Sequence, residues 1–201
     1  MIIKLVVCAI IGYLLGSLSG SILTSKIFFK ADIRNQGSGN AGMTNSLRVY
    51  GVGAAISTIF VDVGKSVVAV LIGMAICGFD GLLVAGGAVM LGHAFPLYFG
   101  FKGGKCVICI AVVGSFISWQ IVLIAVAVFA IMLMCTKIVS ASSCSAMLGA
   151  IIASIFLRLE LKSFLFIILA CLFVIFLHRS NIIRIINKTE KVITVKGGSA
   201  K

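Results

Sequence analysis

Apolar residues along this chain come in long unbroken runs, with polar residues collected between them rather than interleaved. Five runs are plain, at about residues 2–24, 52–76, 81–99, 142–157 and 161–177. A run of roughly 17 to 25 apolar residues offers no face to water, and wound as a helix it matches the hydrocarbon thickness of a bilayer. A sixth region, 106–136, is nearly continuous over 31 residues. As one helix it would be about 46 Å long against a hydrocarbon core of about 30 Å, too long for one comfortable span. Gly114, Ser115, Ser118 and Gln120 supply a break there, beside Phe116 and an interfacial Trp119. The piece before the break, 106–118, is then only about 20 Å long and reads as a half-span or as a sign of a locally thinned bilayer.

Composition removes alternatives. With 61% hydrophobic and 11% charged residues among 201, a single proline and a mean hydropathy of +1.26, the chain is far from a water-soluble domain, which is about 45–50% apolar and about 25% charged. Ser17-Leu18-Ser19-Gly20 superficially resembles a signal-peptide cleavage site, but the length of the first run and the runs after it make it an uncleaved span. Seven cysteines, an odd number set mostly in apolar runs, read as small packing residues with free thiols rather than a disulfide framework.

Seventeen Lys and Arg against five Asp and Glu give a net charge of +12. In so apolar a chain this points to basic cytoplasmic loops that favour lipid headgroups or phosphorylated substrates, not nucleic acid. Seven helices with an outside N-terminus put thirteen basic residues inside and three, Lys4, Arg158 and Lys162, outside, with Lys65 within a span; six helices split them eight and eight. The expected fold is therefore an all-α integral membrane protein with seven transmembrane helices, N-terminus outside and C-terminus cytoplasmic. Residues 1–186 form a single membrane domain, and 187–201 a short polar tail expected to be mobile. Loops 25–51 and 100–105, the turn 137–143 and everything after 177 then share the cytoplasmic face.

The unusual polar residues collect on that face. The first loop, Asp32 to Arg48, holds Gly37, Gly39 and Gly42 with Ser38, Asn40, Thr44 and Asn45 around them. Such a segment presents successive N–H groups to an anion, and the following helix would aim its positive end at the same place, with Arg48 one turn on. The plain alternative is a glycine-rich connector. The second loop runs from Gly92-His93 through Pro96 to Lys102-Gly103-Gly104-Lys105, where two lysines flank a glycine pair able to wrap a phosphate. It is not a Walker A loop, because Phe99 and Cys106 stand where that motif needs Gly and Ser or Thr. His93 alone reads as an interfacial histidine before a base.

Asp62 and Lys65 lie three residues apart in the second run, a costly intramembrane pair that either joins helices or serves the chemistry. Cys106 and Cys109 have redox-motif spacing without a redox fold and read as packing. His178, Arg179, Asn181 and Arg184 stand at the end of the last run, and Ser140, Ser142 and Ser143 in the turn before the sixth are helix caps or site donors.

Three of these segments together resemble the bacterial acyl-phosphate:glycerol-3-phosphate acyltransferases, the PlsY family, over about residues 1–186. They are Gly37-Ser38-Gly39-Asn40-x-Gly42-x-Thr44-Asn45-x-x-Arg48, Gly92-His93-x-Phe95-Pro96 with Phe101-Lys102-Gly103-Gly104-Lys105, and His178-Arg179-x-Asn181-Ile182. The resemblance implies a seven-helix enzyme of the bacterial cytoplasmic membrane. It would move a fatty acyl group from acyl phosphate to the 1-position of sn-glycerol 3-phosphate, giving lysophosphatidate and phosphate at the first step of phospholipid synthesis. It also implies no use of acyl-CoA or acyl carrier protein, no cofactor and no metal, with functional coupling to the enzyme that makes acyl phosphate. On this reading Ser38, Thr44, Arg48 and His178 are catalytic. Gly39, Asn40, Gly42, Asn45, Lys102, Gly103, Gly104, Lys105, Ser143 and Asn181 bind substrate phosphate, and Asp62, Lys65 and His93 support the site. His178 acts as general base, or the acyl phosphate itself takes the proton. The chain departs from the family pattern at Ser19, Met43, Ser66, Cys106, Ile108, Cys109 and Ser180. The rival readings are a transporter or binding protein for a phosphorylated solute, and an inactive paralogue that binds acyl phosphate.

Overall fold

The structure, a computed structural model, describes residues 1–193. Among these every regular element is helical. In chain order they are α1 (Ile2–Gly16), α2 (Gly20–Phe29), α3 (Met43–Tyr50), α4 (Val52–Ala94), α5 (Val107–Ile117), α6 (Trp119–Thr136), α7 (Val139–Phe156), α8 (Leu161–Leu177) and α9 (Arg179–Ile186). By length and apolarity four segments qualify to cross a membrane: Ile2–Phe29, Val52–Phe99, Trp119–Thr136 and Val139–Phe156. A fifth qualifies if α8 and α9, bent by 56°, are taken as one. The long apolar region 106–136 is broken as its length requires, with Ser118 in extended backbone between α5 and α6.

Two further breaks shape the bundle, of which only the first was hidden within an apolar run. The first apolar run is interrupted at 17–19, where the Ser17 hydroxyl donates to the Tyr13 carbonyl at 2.8 Å and accepts from the Leu97 N–H at 3.1 Å. The second is a reversal inside α4: Cys77 and Gly78 leave helical geometry, Gly78 at φ +58°, and the chain doubles back as two arms, 52–76 and 79–94. Gly73 and Gly81 face each other across that reversal so closely that a Cβ on either would strike the other's carbonyl. The second arm stops at Phe95 because Pro96 cannot continue a helix, rather than at residue 99.

Small residues bring the helices together. Gly12 and Gly16 of α1 pack against the backbone at Ala85 and Val89 of α4, and Gly92 against the backbone of Tyr13 and Ser17. Lipid gives helices no hydrophobic drive to associate, so close backbone approach supplies the dispersion contacts instead. Large apolar side chains point outward: Phe60 is 79% exposed, Phe156 80% and Leu161 67%. Water would not tolerate so apolar an exterior, and hydrocarbon requires it. The polar core lies at one end, where α2, α3, the end of α4, the start of α5, α7 and α9 converge.

Candidate active site

The first loop is held in shape by Asn45, from the first turn of α3. Its side-chain oxygen accepts the Ser38 N–H at 2.8 Å, and its amide donates to the carbonyls of Ile33 and Gln36 at 3.2 and 3.0 Å. Gly37 at φ +64° must be glycine, since a Cβ there would strike the Asn45 amide. The loop is tied to its neighbour by Arg34, whose guanidinium pairs with Asp32 at 2.7 Å and donates to the carbonyls of Phe99 at 2.5 Å and Lys102 at 3.2 Å. The hydrogen bonds from Arg34 hold the Asp32 carboxyl below the usual carboxylate range.

Beneath this loop Asp62, Lys65 and His93 form one buried cluster. The Lys65 ammonium donates to Asp62 at 2.8 Å, to His93 Nδ1 at 2.7 Å and to the Leu18 carbonyl at 2.7 Å. Asp62 also accepts the Gly20 N–H at 3.2 Å. The break between α1 and α2 is therefore what frees a carbonyl and an N–H for this cluster, which locks the first run to both arms of α4. Removing one partner of such a pair leaves an uncompensated buried charge, at a cost of about 3–5 kcal/mol.

A cavity of about 320 Å³ opens at this end of the bundle. Loop 1 and α3 line one side with Ser38, Asn40, Gly42, Thr44 and Arg48; Lys105, Ser143, His178 and Asn181 line the other. Asp62 and His93 reach its floor. Lys105 donates to the Asn181 side-chain oxygen. Burial pushes the Lys105 ammonium down to about 8, and the nearby Arg184 adds to that. The His178 ring places Nδ1 at 2.8 Å from the Val174 carbonyl. A carbonyl only accepts, so Nδ1 carries the proton and Nε2 of the neutral ring keeps the lone pair a base needs. The Ser143 hydroxyl bonds back to the Val139 carbonyl at 2.9 Å rather than capping α7, whose N-cap is Ile138.

Not every expected phosphate ligand meets the cavity. Lys102, Gly103 and Gly104 are absent from its walls. A Cβ on Gly103 would strike the His93 carbonyl, and one on Gly104 the His93 ring and the Ala41 carbonyl, so the pair is there for close packing. Lys102 is exposed. The Gly39 N–H is spent on the Gln36 carbonyl at 3.0 Å, and Asn45 borders the cavity but commits its whole amide to loop closure. Lys65 lies behind Asp62 and reaches no wall.

The structure adds residues that sequence reasoning passed over. Thr189, Glu190 and Lys191 line the cavity from the polar tail. That tail was expected to be mobile from residue 187 onward; through Ile193 it packs over the site, and residues 194–201 lie outside the described residues. A single acidic residue in a basic C-terminal stretch, six after Arg184, was the available signal. Val107 and Phe129 line both this cavity and a second, wholly apolar groove of about 90 Å³ between α5, α6, α7 and α8.

A polar, cationic chamber at one end of an apolar helical bundle, sharing Val107 and Phe129 with an apolar groove, is the architecture of a helical membrane protein with a polar site. Comparison with known proteins narrows this to one family. The family model described as glycerol-3-phosphate acyltransferase matches residues 6–188. The glycerol-3-phosphate acyltransferase of Finegoldia magna is 39% identical over 187 residues, covering 92% of this chain and 94% of that one. That of Shouchella clausii is 40% identical over 197 residues, covering 94% and 96%. The crystal structure of PlsY (YgiH), an integral membrane glycerol 3-phosphate acyltransferase, in its glycerol 3-phosphate form superposes with a TM-score of 0.88 at 30% identity, covering 94% of this chain and 96% of that one. Its lysophosphatidic acid form gives 0.85 at 28%, covering 95% and 96%. The chain belongs to the glycerol-3-phosphate acyltransferase family.

Proposed function

We propose that this protein transfers a fatty acyl group from acyl phosphate to the 1-position of sn-glycerol 3-phosphate, releasing lysophosphatidate and phosphate. The observation that carries the reading is that the two spaces share Val107 and Phe129 as walls, with cations and hydroxyls lining one and hydrocarbon the other. Acyl phosphate needs both at once. Its chain lies in the groove between α5 and α8, and its phosphate faces loop 1, where the Met43 and Thr44 N–H groups open α3. Glycerol 3-phosphate lies against the opposite wall, held by Lys105, Ser143, His178 and Asn181, with Arg48 meeting it from the α3 side.

The chemistry then asks little of the protein beyond placement. A mixed anhydride is already activated, so holding two phosphates and aligning a hydroxyl with the carbonyl supplies much of the rate. His178 Nε2 takes the hydroxyl proton, and Arg48 and Lys105 offset charge at the phosphates. Loss of turnover in His178→Ala through KM alone would make His178 a binder instead of a base.

The reading includes seven transmembrane helices: the first run through α2, the two arms of α4, and α5 to α8. It places the N-terminus outside and the site on the cytoplasmic side of a bacterial inner membrane, with residues 1–186 as one domain. There the enzyme is coupled to the one that makes acyl phosphate. The deciding experiment measures product from labelled glycerol 3-phosphate by purified protein in lipid, with palmitoyl phosphate or palmitoyl-CoA as donor. Product from the phosphate alone supports the reading. Product from the thioester alone, or bound glycerol 3-phosphate with no product from either donor, overturns it.

A further inference from the structure

The described part of the C-terminal tail, residues 187–193, is a strap across the mouth of the cavity. It turns back at Lys188, which takes left-handed geometry at φ +55°, and the N–H groups of Thr189 and Glu190 cap α9 on the Arg184 carbonyl at 2.8 and 3.1 Å. Its far end is pinned where the Ile193 N–H donates to the Lys137 carbonyl at 2.8 Å. Lys191 reaches the Gly37 carbonyl of the first loop at 3.1 Å. Between these anchors the Glu190 carboxylate points inward, 10% exposed, and gathers three donors: Asn181 Nδ2 at 2.6 Å, Arg184 Nε at 2.6 Å and the Ser140 hydroxyl at 2.8 Å.

The bond to Asn181 has a directional consequence. Because Nδ2 is held by a carboxylate, which only accepts, Oδ1 must face the other way, and there it accepts the Lys105 ammonium. The amide is thus a relay of fixed polarity from the strap to Lys105. Arg184 is likewise turned by its pairing with the same carboxylate.

We propose that Glu190 is a positioning residue for glycerol 3-phosphate, fixing Asn181 and Arg184, and through Asn181 the Lys105 ammonium, in the orientation that receives the substrate phosphate. This rests on the acyltransferase reading above and adds to it the one acidic side chain that the cavity recruits from the strap. The carboxylate's charge is occupied by its three partners, so it does not stand against the incoming phosphate. Burial pushes its pKa up, but the bonds from Asn181, Ser140 and Arg184 together outweigh that and hold it below the usual carboxylate range, so it stays charged through neutral pH.

The charge of Glu190 also props up that of Lys105. Burial and Arg184 lower the Lys105 ammonium to about 8, while the Glu190 carboxylate faces it with the opposite effect. His178 borders the same space. Removing the carboxylate charge therefore makes Lys105 lose its proton at lower pH, which a purely structural role for Glu190 would not do.

The test is equilibrium binding of labelled glycerol 3-phosphate, with turnover on acyl phosphate, for full-length protein in lipid nanodiscs as wild type, Glu190→Gln and Glu190→Asp between pH 6 and 10. For Glu190→Gln the expected result is a Kd raised about fivefold or more at pH 7. Its alkaline loss of binding should start about half a unit or more below that of wild type. Glu190→Asp, which keeps the charge on a shorter arm, should weaken binding and keep the wild-type pH midpoint. An unchanged Kd and midpoint in Glu190→Gln overturns the inference while leaving the function intact. If Glu190→Gln does not fold, an unchanged Kd or a shifted midpoint in Glu190→Asp overturns it. Wild type that neither binds glycerol 3-phosphate nor makes product overturns the functional reading itself.

Discussion

The two glycine-rich loops at the polar end of this bundle look alike in sequence and do different work in the structure. Residues 32–48 and 92–105 each combine glycines with flanking cations, and each reads as a phosphate cradle. The first opens onto the cavity. Asn45 closes the loop from inside, so Ser38, Asn40 and Thr44 face the cavity with Arg48. The second becomes a gasket: Gly103 and Gly104 press onto His93, and of its two lysines only Lys105 reaches the chamber. Glycine in a loop signals that something comes close. Whether the visitor is a ligand or another piece of backbone depends on what the fold has packed behind it.

That contrast can be broken at single residues. The largest effect belongs to the first loop: Arg48→Ala should lower kcat/KM for glycerol 3-phosphate about 100-fold in a steady-state assay, as expected for losing a charge-assisted contact to an anion. Next comes the gasket. Gly104→Ala forces a methyl into the His93 ring and the Ala41 carbonyl, costing about 1–3 kcal/mol. It should lower the midpoint of thermal unfolding in detergent; a KM rise with unchanged unfolding would make the glycine a phosphate ligand after all.

Lys105 sharpens the comparison through pH. Its ammonium is depressed to about 8, so its charge is complete below that value and lost above it. Binding of glycerol 3-phosphate to wild type should therefore weaken above pH 8, toward about tenfold per unit. Lys105→Arg, whose guanidinium does not deprotonate, should abolish that alkaline loss in titration calorimetry. The smallest effect belongs to the exposed lysine of the same loop: Lys102→Ala should change kcat/KM less than about twofold, as for a surface substitution.

What the sequence made legible follows from range. The break at Ser118 could be read because a helix of 31 residues is longer than the bilayer is thick. The Asp62 and Lys65 pair could be read because three residues on a helix share a face. Their partners could not: Leu18 and His93 lie 47 and 28 residues from Lys65, and only packing brings them there. The reversal at Cys77 and Gly78 was visible as a gap between two apolar runs, but the interruption at 17–19 was hidden inside one. Most of the cavity-lining polar residues came from local motifs, yet Glu190 sits in a polar tail with no periodicity and reaches the cavity solely by folding back. Asn45 borders the cavity and its amide holds the loop shut, and nothing in a loop's composition says which amide will do so.

The central claim is that Arg48, at the end of loop 1, and the far wall of the cavity hold the same glycerol 3-phosphate. The most direct measurement is a double-mutant cycle on kcat/KM for glycerol 3-phosphate with Arg48→Ala, Asn181→Ala and the double variant. Residues that hold the same molecule act as a unit, so the account predicts a double variant clearly less impaired than the product of the two single losses. Losses that multiply within about twofold would mean the two walls act independently, and the single-site account would be wrong.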